Sequence, residues 1–135
     1  MNKTAGIEWV EKGWHHLSTA HILQNCNHYT DIIGVELHYS IEIFLKSLLA
    51  YNNLQIKKTH ELYDLYTMVN DHINLNNDEI ELLLIATKYY ILEAYPNRNR
   101  TLPPREEIKK VLDFANALFI EVCSVLDISM DEIKA

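Results

Sequence analysis

Ile7, Val10, Trp14 and Leu17 recur at alternating spacings of three and four, the period that lays apolar side chains along one side of a helix. This predicts a first helix over residues 6–24, with Glu8 and Lys12 four apart on the opposite face in the favourable order. The polar stretch 25–30 ends it. Residues 31–51 are richer in apolar side chains: Ile33, Leu37, Ile41, Phe44 and Leu48 form one stripe, widened by Leu45 and Leu49. Asp31 is the expected N-cap, and so broad an apolar face predicts a central helix touching neighbours on several sides. Asn52 and Asn53 break the pattern.

Thr59 offers a cap for a third helix, with Glu61 in its first turn and Leu62, Leu65 and Val69 as its stripe. Asn77 is the expected cap of a fourth, followed by Asp78, Glu79 and Glu81 and by a stripe of Ile80, Leu83, Leu84, Thr87 and Ile91. Tyr89, Tyr90 and Leu92 make the end of that helix apolar nearly all round, so it is either deeply buried or meets a second subunit. Pro104, Glu106 and Glu107 read as the start of a fifth helix. Its stripe of Ile108, Leu112, Ala115, Phe119 and Val122 extends to Leu126, and the tail 129–135 adds a short turn.

Composition agrees with an all-α chain, because 135 residues with 48% hydrophobic content carry only three Gly and three Pro. A chain of this length buries roughly two thirds of its unfolded surface without help from disulfides or metals. With no repeat or linker, residues 1–135 are expected to form one domain. The net charge of −7 and pI near 5.4 repel nucleic acid unless the basic residues share one face. Cys26 and Cys123 form no CxxC pair and read as reduced, buried small hydrophobes. The N-terminus has no apolar leader, and no run of about 18 uncharged apolar residues exists to cross a membrane. Cytoplasmic residence is the expectation.

Several local patterns resemble the HEPN family, and the match spans nearly the whole chain. Trp9, Gly13, Leu17 and Ala20 resemble the family's Trp, small residue, Leu and Ala spacing in the first helix. Residues 39–49, Tyr-Ser-Ile-Glu-Ile-Phe-Leu-Lys-Ser-Leu-Leu, resemble its Glu-Lys-Ala-Leu-Lys segment, with Glu42 and Lys46 at the acid and second lysine. Thr59-His60-Glu61-Leu62, followed by Leu65, resembles the His-Asp-Leu signature that opens the third helix. Tyr95-Pro96 resembles the Arg-Tyr-Pro element, with Ala94 in place of the arginine. The resemblance implies an up-and-down bundle of four to five helices, often a homodimer, found beside a minimal nucleotidyltransferase or in toxin-antitoxin-type systems. The family's ribonucleases carry an arginine followed four to six residues later by histidine. Here no histidine follows Arg98, Arg100 or Arg105, so metal-independent RNA cleavage by that route is not expected.

None of the seven histidines lie three or four apart, so no HxxxH pair exists, nor does a Glu-x-x-His. A metal would need ligands converging from separate helices, and none is expected. The glycines make neither a phosphate loop nor a dinucleotide fingerprint, so no cofactor is expected. Arg98, Arg100, Lys46, His60 and Tyr95 are candidates for nucleotide or phosphate binding. His60 opens a helix, where it either meets a phosphate or makes a structural hydrogen bond. Lys46 either lines a groove for phosphate-bearing ligands or forms a helix-surface pair with Glu42, four residues earlier. Arg98, Arg100 and Arg105 place three of the twelve basic residues within one short stretch. Guanidinium forks suit phosphate, and Tyr95 beside them suits stacking on a base. Alternatively, these charges stay solvated or pair with Glu106 and Glu107.

Three functions follow as expectations: a nucleotide- or RNA-associated binding module acting with a nucleotidyltransferase partner; a divergent ribonuclease using His60 and the arginines; or a dimeric protein-interaction module without ligand.

Overall fold

The computed structural model describes residues 1–96 and 101–135. Among them are six helices and no strand: α1 (Lys3–Asn25), α2 (Thr30–Tyr51), α3 (Leu62–Val69), α4 (Asn77–Glu93), α5 (Arg105–Leu126) and α6 (Met130–Lys134). The expected short turn of the tail is α6.

Three chain reversals use the same device. Asn27, Asn53 and Asp127 adopt the left-handed conformation, with φ of 55°, 58° and 54°, which Asn and Asp tolerate better than most side chains. The next residue in each case donates its N–H to a carbonyl five positions back: His28 to Leu23, Leu54 to Leu49 and Ile128 to Cys123. This closes the helix and satisfies one of its last carbonyls.

Helix starts differ from the sequence expectations by one to three residues. The cap of α4 is Asn76, whose side chain accepts from Glu79 N–H while the Glu79 carboxylate accepts from Asn76 N–H. Asn77 is already helical. Asp31 lies inside the first turn of α2, where its carboxylate accepts from Ile32 N–H, and Tyr29 holds the cap position. Thr59 accepts from Glu61 N–H in a local turn, so α3 begins only at Leu62. A short polar side chain can satisfy a turn as readily as a helix end, and spacing alone does not distinguish the two.

Helix α2 is central, packing against α1, α3, α4 and α5, while α6 folds back onto α1. All seven apolar stripe residues expected for α2 are buried, as are the expected stripes of α3 and α5. Gly13 lets α1 and α2 approach: a Cβ there would lie 2.6 Å from the Phe44 ring. In α4 the buried residues are Leu83, Ala86, Thr87 and Tyr89, together with Glu93, whereas Leu84 and Ile91 face solvent. Cys123 is buried but Cys26 is exposed, because it sits at the end of α1 rather than within a stripe. No helix of the described residues is long and apolar enough to cross a membrane.

Candidate functional site

Helix α2 carries a polar line through an otherwise apolar surface. His38, Glu42 and Lys46 are each one turn apart, and all three are buried. Burying charged groups costs free energy unless each is paired, and here the pairing is complete. Lys46 Nζ donates to Glu42 Oε2 at 3.0 Å. Glu42 Oε1 lies 3.2 Å from His38 Nε2 and 2.6 Å from His60 Nδ1. His38 Nδ1 is 2.8 Å from the Ala86 carbonyl of α4. Among the described residues no buried side-chain nitrogen or oxygen lacks a partner.

His60 reaches the cluster from the irregular segment before α3, and its side chain remains 45% exposed. Its ring stacks on Tyr90 of α4, with centroids 3.8 Å apart and an interplanar angle of 22°. Tyr90 also stacks on His38 at 5.2 Å and meets Tyr39 edge-on at 6.1 Å. Four rings from α2, α4 and the approach to α3 thus form one wall with Glu42 behind it. The exposed Tyr95 lies beyond the end of α4.

Burial by itself pushes the Glu42 carboxyl up. Hydrogen bonds from His38, His60 and Lys46, together with the lysine's charge, outweigh burial and bring it down to about 2. The Tyr39 phenol is pushed above its ordinary value, first by burial and then by Tyr90, Glu42, Glu36 and Tyr95.

The expected site residues are therefore only partly gathered. Lys46 and His60 meet through Glu42. Tyr95 is exposed beyond the end of α4, and Arg98 and Arg100 lie outside the described residues. The Glu42–Lys46 pair is not on the helix surface as its spacing implied; α2 is covered on several sides, so the pair is buried. Arg105 does not pair with Glu106 or Glu107: its guanidinium donates to Gln24 Oε1 at 2.9 Å and to the His28 carbonyl at 2.6 Å, tying the start of α5 to the end of α1.

His38 and Tyr90 were missed. The available signal was the i, i+4, i+8 run of His38, Glu42 and Lys46 in a helix otherwise apolar on that side. His38 and Glu42 make a His-x3-Glu pair, a spacing that neither HxxxH nor Glu-x-x-His covers.

A separate cleft of about 580 Å³ between α4 and α5 is lined by Asp78, Glu81, Glu106 and Glu107, with Lys110 the cation among them. Its charge disfavours phosphate.

The fold and the histidine–carboxylate wall define a helical bundle with a buried polar core on its central helix. The chain belongs to the HEPN domain family, whose profile matches residues 7–125. The crystal structure of TT1696 from Thermus thermophilus is similar, with a TM-score of 0.75 and 24% identity, covering 93% of this chain and 99% of that one. That of ST0689, described as an archaeal HEPN homologue, has a TM-score of 0.66 and 16% identity, covering 88% of this chain and 95% of that one. At these identities the likeness concerns the fold. No curated protein sequence matches.

Proposed function

We propose that this protein is a nucleotide- or RNA-associated binding module that acts as one domain in the cytoplasm with a nucleotidyltransferase partner. The observation that carries the reading is the half-exposed His60 ring, held by Glu42 and stacked on Tyr90. A ring fixed on two sides offers a base a flat, preorganised surface. Tyr95 supplies a second exposed aromatic, and Arg98 and Arg100 follow it by three and five positions in the sequence. Lys46 is nearly buried and contributes indirectly, by offsetting the Glu42 charge behind His60.

The test is binding of the purified protein to a nucleotide panel and a short single-stranded RNA at low and moderate salt, with and without a nucleotidyltransferase partner. Salt-sensitive binding that is lost in Arg98→Ala/Arg100→Ala and weakened in His60→Ala supports the reading. No binding under either condition overturns it. RNA cleavage abolished by His60→Ala would instead establish the ribonuclease alternative, for which the His60–Glu42 contact supplies an oriented imidazole.

The homodimer rests on a different observation. Leu84 and Ile91, two turns apart on one face of α4, are 46% and 59% exposed, and a second copy of the chain would cover both. A monomer in sedimentation at micromolar concentration would exclude it, leaving the binding module intact.

A further inference from the structure

We propose that His38 Nε2, Glu42 Oε1 and His60 Nδ1 form a binding site for one divalent transition-metal ion of the zinc type. This inference goes beyond the nucleotide reading and does not depend on it.

The first argument is geometric. The three donor atoms all lie within 4.8 Å of one another. With metal–ligand bonds of about 2.0–2.1 Å, neighbouring donors of a tetrahedral zinc site stand roughly 3.3 Å apart. The His38–Glu42 separation of 3.2 Å already fits. The His60–Glu42 separation of 2.6 Å must open by a fraction of an ångström, which is feasible because His60 lies in an irregular segment before α3.

The second argument concerns hydrogens. His38 Nδ1 faces the Ala86 carbonyl, which can only accept, so that nitrogen carries the hydrogen. The lone pair of Nε2 then points at the Glu42 carboxylate, another acceptor. Two acceptors at 3.2 Å require a cation between them, either a second proton or a metal ion. A histidine whose far nitrogen is anchored to a backbone carbonyl has the arrangement by which proteins orient imidazole ligands.

The third argument is donor chemistry. Two imidazoles and one carboxylate suit zinc and its neighbours better than calcium or magnesium. Lys46 occupies Oε2, so Glu42 offers the metal a single oxygen. The exposure of His60 leaves room for a fourth ligand from solvent.

Chelator-stripped protein titrated with Co²⁺ provides the test, read by visible d–d absorption and by thermal shift. The expected result is one equivalent bound, displaced by Zn²⁺, with affinity at least tenfold weaker in His60→Ala and largely restored in His60→Cys, which supplies another soft donor. Circular dichroism checks that each variant is folded, and the partial exposure of His60 makes it the ligand safest to remove. Stripped wild type that binds no Co²⁺ at one equivalent would overturn the proposal and assign the gap to a proton. Equal binding by folded wild type and His60→Ala would also overturn it, by placing the ion on other histidines.

Discussion

The Phe44 ring lies across Gly13 so closely that a methyl group on Gly13 would stand 2.6 Å from one ring carbon and 2.7 Å from the next. Phe44 is fully buried and meets Phe119 at 5.4 Å, so its ring cannot step aside cheaply. Alanine at a helical glycine ordinarily gains about 1 kcal/mol, whereas overpacking a core costs about 1–3 kcal/mol. Gly13→Ala is therefore expected to destabilise, seen as a lower urea midpoint with an unchanged m-value. Gly13→Ala/Phe44→Leu should lose less than the sum of the two single changes, because they share one contact. A more stable Gly13→Ala would refute the close approach.

The cap of α4 separates two adjacent asparagines. Asn76 holds the reciprocal bonds with Glu79, while Asn77 is the first helical residue. Asn76→Ala should cost about 1 kcal/mol, whereas Asn77→Ala should be neutral or slightly stabilising because alanine is the better helix former, measured as paired shifts in thermal or urea midpoint. The reverse order would move the helix start one residue along.

The different fates of these features explain what could be read from the sequence. Apolar periodicity located α1 to α5 and the stripes that α2, α3 and α5 bury, because a helix packed against neighbours buries residues at that spacing: Ile33, Leu37, Ile41, Phe44 and Leu48 are all buried, while Val111, Phe114 and Leu118 are buried beside the expected stripe of α5. Leu84 and Ile91 share that spacing yet face solvent, since which side of a helix is covered depends on where its neighbours lie. The site was less legible for the same reason. Glu42 and Lys46 at i, i+4 read as a surface pair, and only the packing of α1, α3, α4 and α5 around α2 buries them. His60 is 18 positions from Glu42, and Tyr90 a further 30 beyond His60. No local spacing links residues so far apart.

Burial changes what loss of Lys46 does. Removing one member of a surface pair costs a few tenths of a kcal/mol, whereas removing one member of a buried pair strands the other charge and costs about 3 kcal/mol. Lys46→Met is expected to behave in the second way, measured by urea unfolding of metal-free protein. Glu42→Gln/Lys46→Met should lose less than the sum of the single changes, because no stranded charge remains. A strictly additive double mutant would show that the two residues act independently.

Glu42 also sets an acid limit on stability. Its carboxyl is held near 2 in the folded protein against an ordinary 4.5. Between those values the unfolded chain binds the proton and the folded chain does not, so folding weakens as pH falls through that window. Above 4.5 the contribution is fully present; toward 2 it is lost. The charged and titratable neighbours are Lys46 and His38 on α2, His60 before α3, and the phenols of Tyr39 and Tyr90. Urea midpoints of metal-free wild type and Glu42→Gln, followed from neutral pH down to about 2, isolate the effect because the remaining carboxylates are common to both. The wild type should lead above the window and lose that lead within it. A difference between the curves that stays constant across the window would mean the carboxyl is not held low by its contacts with His38, His60 and Lys46.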